Sequence, residues 1–145
     1  MAVYDPIRRK ILVGRERFGR YKGKFNICGG HVEPEDRGCA LNAALRELGE
    51  EFKILASSDP IEVLLRHTMF VGTTPVFVAV VDSSLLPEED LEAKMLRDVT
   101  NDSLPGTRKE MDQARWIPMS EAHDLSISRF AKMIIRKLVS RMPGS

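Results

Sequence analysis

The run ALNAALRELGEEFKI, residues 40–54, constrains this chain more than any other part of it. At about 100° per residue, Leu41, Leu45, Leu48 and Phe52 fall on one stripe, the mark of a helix with one side in a core. Glu47, Glu50 and Glu51 group on a different side, beside the small residues Ala40 and Ala43. Like charges three or four residues apart on a helix repel by about 0.2–0.5 kcal/mol per pair. A helix that gathers carboxylates beside so low a surface is suited to holding a cation there. The plainer alternative is a solvated face, with Arg46 and Lys53 offsetting the repulsion as ordinary ion pairs.

The chain has 145 residues, 43 % of them hydrophobic, which suits a single domain over 1–145 with a sizeable core. Its formal net charge is +1, so no global field points to nucleic acid or membrane, and electrostatic recognition has to be local. No apolar run is long enough to span a bilayer, and the start MAVYDPIRRK lacks the apolar region of a signal peptide. Cys28 and Cys39 give no disulfide framework and read as core or near-core residues of a reduced protein. A cytoplasmic domain is the expectation.

Along the chain, RRKILVGRER reads as a short strand and RERFGRYKGKF as a loop carrying Arg15, Arg17, Arg20, Lys22 and Lys24. After the helix, PIEVLLRHTMFVG and TPVFVAVVD read as an antiparallel pair joined by Gly72, Thr73 and Thr74, with His67 in a strand. Residues 83–109 form a long insertion or lid loop, irregular apart from a short helix in PEEDLEAKMLRDV. ARWIP is a further strand, and SRFAKMIIRKLVSR an amphipathic helix with Ser128 as its cap and Phe130, Ile134 and Leu138 as core. The order is mixed α/β. His31, His67 and His123 show no metal-ligand spacing.

Mg²⁺ takes hard oxygen ligands, sitting among carboxylates, waters and substrate phosphates. The three helical glutamates supply such oxygens, Gly29 and Gly30 allow close backbone approach, and Arg15, Arg17 and Lys24 lie where cations can meet phosphate. Together these parts suit metal-assisted attack of water on a phosphoanhydride.

The order of residues in GG…ALRELGEEFKI resembles the Nudix box, G-x5-E-x7-R-E-U-x-E-E-x-G-U with U apolar. Gly30 matches its first glycine, and Arg46, Glu47, Leu48, Glu50, Glu51 and Ile54 match its later core, which places the box at 30–54. KILVGRERFGRYKGKFNICGGHVEP is similar to the strand, loop and glycine lead-in of that family, with Phe25 at a tryptophan position. RWIPMSEAHDL is similar to its late strand and turn. Two departures stand out. The acidic residue of the loop falls at Asp36, ten positions before Arg46, so the box holds two extra residues, and Glu33 and Glu35 are alternatives. The late glycine of the box is Lys53 here.

The resemblance implies an α+β fold, an α/β/α sandwich with a mixed β-sheet between helices. It implies metal ligation by Glu47, Glu50, Glu51 and the carbonyl of Gly30, with Mg²⁺ as cofactor and Mn²⁺ as a substitute. Arg46 orients a carboxylate. The base is Glu47 or Glu110, with Glu88 and Glu89 as further acids. Asn26 matches the asparagine that faces the base in the nucleotide-pool branch, and Phe18, Tyr21 or Phe70 offers a ring to stack on it.

Implied substrates are nucleoside diphosphates linked to a further group, first a (d)NTP cleaved to a monophosphate and pyrophosphate. Alternatives are ADP-ribose, a nucleotide sugar, a dinucleoside polyphosphate or an mRNA cap, capped RNA being the one nucleic acid in prospect. A non-catalytic nucleotide- or RNA-binding module is the alternative of another class. The first strand of the family is represented only by AVYDP, which implies a trimmed chain or a sheet edge covered by a partner, such as the second copy of a homodimer.

Overall fold

The computed structural model describes residues 1–29, 33–99, 111–121 and 123–141, without the side chains of 96–99. The loop position Gly30, with His31, and the candidate base Glu110 lie outside the described residues.

Strands β1 (Ala2–Asp5), β2 (Lys10–Glu16), β3 (Phe25–Asn26), β4 (Glu62–Val63), β7 (Val78–Val80) and β8 (Met111–Pro118) form one sheet. The hairpin β5 (Met69–Val71) and β6 (Thr74–Val76) forms a second. Helices are α1 (Ala40–Phe52), α2 (Glu88–Val99) and α3 (Arg129–Arg141). β1 runs antiparallel to β2 and parallel to β7, so the main sheet is mixed. β2 is its hub: β8 pairs along one edge, while β1 pairs near the start of the other and β3 near its end.

Successive side chains of a strand point to opposite faces, and β2 feeds two cores in this way. Leu12 joins Leu48, Phe52, Leu91, Met95 and Trp116 beneath α1 and α2. Ile11 and Val13 join Ile134, Ile135 and Leu138 of α3. Helices therefore cover both faces of a mixed sheet, the expected sandwich. Ser128 caps α3 as expected, its hydroxyl accepting from the Ala131 amide at 3.0 Å.

Three expectations change. AVYDP is no sheet edge: β1 is buried along its length with a strand on each side. His67 lies in a 3₁₀ turn, Leu65–His67, which divides its run so that β4 joins the main sheet and β5 the hairpin. The described part of the expected insertion, 83–99, is built into the fold rather than irregular. Leu86, Leu91 and Met95 enter the core, and α2 lies along the outer edge of β8. There the Glu88 carboxylate accepts from the Trp116 amide at 2.7 Å and Glu92 from the Ala114 amide at 3.2 Å. Two carboxylates one helical turn apart thus satisfy an edge that no strand among the described residues pairs with. Glu88, one of the candidate acids, is engaged with the backbone of β8.

Candidate active site

α1 places its glutamates unequally. Glu47 and Glu51 are buried, at 8 % and 3 % exposure, beside Ala43 and the core stripe, while Glu50 is exposed. Burying a carboxylate is costly unless a cation or hydrogen bonds compensate. Arg46 compensates one side of the cluster: its Nη1 donates to Glu47 Oε1 at 3.0 Å and to Glu50 Oε2 at 3.1 Å. For Glu51, the Oε1 atom is buried with no hydrogen-bond partner among the described residues.

Arg46 also identifies the acid of the expanded loop. Its Nε lies 3.0 Å from Asp36 Oδ1 and its Nη2 3.0 Å from Asp36 Oδ2, a two-pronged grip. Asp36 is buried, whereas Glu33 and Glu35 are exposed. The guanidinium, aided by the Glu33 amide, holds the Asp36 carboxyl below the usual range, and Asp36 in turn raises Arg46. α1 ends on Lys53 with φ 59° and ψ 29°, so the lysine adopts the left-handed shape that a glycine gives most easily.

Beside α1 lies a cavity of about 340 Å³. Ala40, Ala43 and Ala44 form its helical wall, and Asn26, Cys28 and Gly29 come from the segment that starts with β3. Tyr21, Pro75 and Phe130 bring apolar surface, and Glu16 is the charged residue that lines it. Asn26 turns its amide oxygen inward to the Ser128 hydroxyl at 2.7 Å and the Ile27 amide at 3.0 Å, leaving its Nδ2 toward Glu16 at 3.4 Å. Burial pushes the Cys28 thiol up and keeps it protonated.

The cations of the β2–β3 segment are placed in different ways. Arg15 is gripped by Asp112 at 2.9 and 2.7 Å, and Lys24 donates to the Leu125 carbonyl at 2.8 Å. Arg17 lies over the Phe18 ring, 5.0 Å from its centre. Nothing in the sequence marked Glu16 as a lining residue, while Phe130 packs against the α3 core as expected and lines the cavity as well. A helical spacing gives no sign that the first turn of α3 faces a cavity, and Asp112 is far from Arg15 along the chain.

The donor chemistry fits a hard divalent cation, because two buried carboxylates one turn apart carry oxygens of the right kind. Among the described residues no three His, Cys, Asp or Glu side chains converge as a ligand group, and Glu47 and Glu50 are both bound to Arg46. No helix of the described residues is long and apolar enough to cross a membrane.

A search of curated proteins gives no match. Among solved structures, the chain resembles Shewanella oneidensis NrtR complexed with a 27mer DNA, with a TM-score of 0.62 at 14 % identity. That match covers 97 % of this chain, which spans only 59 % of the NrtR chain. The NUDIX domain of Shewanella oneidensis NrtR complexed with ADP ribose aligns at 0.57 and 12 % identity, over 97 % of this chain and 82 % of that one. A C. elegans Ap4A hydrolase binary complex aligns at 0.61 and 14 % identity, over 99 % and 93 %. Likeness at these identities speaks for the fold. The family profile described as NUDIX domain matches residues 1–138, nearly the whole sequence, and the chain belongs to the NUDIX domain family.

Proposed function

We propose that this chain is a Mg²⁺-dependent pyrophosphohydrolase that cleaves a (d)NTP to a monophosphate and pyrophosphate. One observation carries the reading. The helix that carries buried Glu47 and Glu51 also walls, through Ala40, Ala43 and Ala44, a cavity of about 340 Å³. That volume lies in the range of small-molecule sites. A base held between Tyr21 and Phe130 sets its phosphates toward the carboxylates of the same helix.

Glu47, Glu50 and Glu51, with the carbonyl of Gly30, would hold the cation, and Mn²⁺ would substitute. When bound, the cation supplies Lewis-acid polarisation of the phosphate. The residues of the chain do the rest. Arg46 keeps Glu47 and Glu50 oriented, and Asp36 keeps Arg46 in place. Glu47 or Glu110 takes the proton of the attacking water. The apolar side chains of the cavity, Tyr21, Pro75 and Phe130, face the base, and Glu16 accepts its N–H donors. The two free cysteines support a cytoplasmic setting.

The test is hydrolysis after chelation and after return of Mg²⁺ or Mn²⁺, across dNTPs, ADP-ribose, dinucleoside polyphosphates, nucleotide sugars and capped RNA. Release of monophosphate and pyrophosphate from a (d)NTP, lost in a folded Glu51→Gln variant, is the expected result. Faster turnover of another substrate moves the assignment to that class. A silent panel from folded protein returns the chain to the binding-module alternative.

A further inference from the structure

Between β2 and β3 the chain makes a turn of which the mononucleotide site proposed above uses only Tyr21. The segment from Arg15 to Lys24 holds five cations and one carboxylate, while the whole chain nets +1, so the remainder is net negative. The hairpin is therefore a locally positive surface on a chain of little net charge; α3 (Arg129–Arg141), with five cations and no carboxylate, is another.

The hairpin is an ordered element. Gly23 N donates to the Glu16 carbonyl at 2.8 Å, and Lys24 N to the Tyr21 carbonyl at 2.8 Å. Gly19 and Gly23 take φ +82° and +81°, which lets the chain turn twice within five residues. Two rings are presented by this turn, each with a guanidinium against it. Arg17 covers Phe18 at 5.0 Å and Arg20 covers Tyr21 at 5.7 Å. Phe18, Arg20 and Lys22 are exposed, while Tyr21 also lines the cavity.

We infer, building on the phosphoanhydride reading above, that this hairpin binds a single-stranded polynucleotide whose 5′-polyphosphate end enters the site. A mononucleotide fills the cavity and leaves Phe18, Arg20 and Lys22 without a task. A strand uses them all. Its first base enters beside Tyr21, the next stacks at Phe18, and its backbone phosphates meet Arg17, Arg20 and Lys22. Aromatic platforms within a basic track are how single strands are held with little sequence preference. In the reaction, the oxygen of water bonds to the α-phosphorus and the α–β anhydride bond breaks. Its electron pair leaves with pyrophosphate, and the proton passes to the carboxylate base, Glu47 or Glu110, and from it to solvent.

The test separates binding from chemistry. Anisotropy of a short, 3′-labelled, 5′-triphosphorylated RNA is titrated in EDTA at several salt concentrations, with unlabelled nucleoside triphosphate as competitor. About three phosphate contacts give a log–log salt slope of roughly −2 in the native protein, and about −0.7 in Arg20→Ala/Lys22→Ala. The RNA binds at least tenfold more tightly than the nucleotide, and Phe18→Ala weakens it without changing the slope. Equal affinity for RNA and nucleotide, or an unchanged slope in the folded double variant, overturns the inference. Nucleotide hydrolysis without a preference for RNA overturns it alone. RNA binding without any Mg²⁺-dependent hydrolysis keeps the hairpin surface and overturns the proposed reaction.

Discussion

Gly14 sits at a crowded point of β2, opposite Asn26 on one edge and Ala114 on the other. Its backbone is not left-handed, so conformational freedom is not what keeps glycine there. Space is. A β-carbon at this position would lie 2.9 Å from Cε1 and 3.1 Å from Cζ of Phe52, and in hard contact with the Met111 sulfur. The Met111 thioether can swing, but the Phe52 ring is fully buried at the end of α1. To reach an ordinary carbon contact of about 3.5 Å, the ring retreats by roughly 0.6 Å. Overpacking of this kind costs about 1–3 kcal/mol. Against it stands a gain of about 0.4–1 kcal/mol from the stiffer unfolded chain. Gly14→Ala therefore destabilises by about 1–2 kcal/mol and lowers Tm by roughly 3–8 °C, read by thermal melts and urea midpoints. Because Phe52 adjoins Glu51, hydrolysis falls as well. Gly14→Ala/Phe52→Leu, with a smaller side chain above the new methyl, recovers part of the stability. An unchanged or higher Tm in Gly14→Ala would falsify the claim that Phe52 closes over this strand.

Arg46→Lys keeps the charge but loses the fork that holds Asp36, Glu47 and Glu50 together. Metal-dependent kcat/KM drops by about 10–100-fold, measured alongside a melt that shows the variant folded. Asp5 is buried and accepts from Ile7, Arg8 and Ser83. Burial alone would raise its pKa, but the bonds from Arg8 and Ser83 outweigh it and hold the carboxyl well below its ordinary value. A depressed pKa contributes stability above the unfolded value near ~4 and loses it as pH falls further. Asp5→Asn therefore lowers Tm at pH 7, and the gap from the native protein narrows as pH falls below ~4; a gap constant with pH refutes this. Glu88→Ala leaves the Trp116 amide without its acceptor and costs about 1–3 kcal/mol. Hydrogen exchange at Trp116 quickens, and an unaltered rate means the α2 carboxylates do not guard the β8 edge.

What the sequence disclosed was whatever repeats with a fixed period or lies close along the chain. The Leu41–Phe52 stripe announced α1 and its buried side, since 3.6-residue spacing is all such a reading needs. Ser128 announced the start of α3 for the same local reason. Partners distant in sequence stayed hidden. Arg15 and Asp112 are bound through strand pairing between β2 and β8, and Lys24 finds a carbonyl at Leu125. Composition showed their charge but not its use. Glu88 looked like a candidate acid because an exposed first turn and a sheet edge read alike until β8 is laid beside α2.

The expanded loop shows how a departure from the family pattern can leave its geometry standing. Two extra residues between the loop acid and Arg46 would carry a rigid segment past its partner. Here Pro34–Asp36 forms one 3₁₀ turn, and Arg37 and Gly38 then take φ 54° and 70° in succession. Two left-handed residues in a row reverse the chain and dispose of the added length before α1 begins. The turn is fastened on both sides: Glu33 N donates to Asp36 Oδ2 at 2.7 Å, and Cys39 N to the Asp36 carbonyl at 3.0 Å. Asp36 is thereby fixed at both its side chain and its backbone, so its carboxylate meets Arg46 although it is a methylene shorter than the glutamate of the family pattern. Arg46, held from the loop, can hold Glu47 and Glu50 on the helix. Carboxylate placement in this site thus depends on a chain of two contacts, loop to arginine to helix. The box survives an insertion because the added residues fall where the backbone turns and not where it grips.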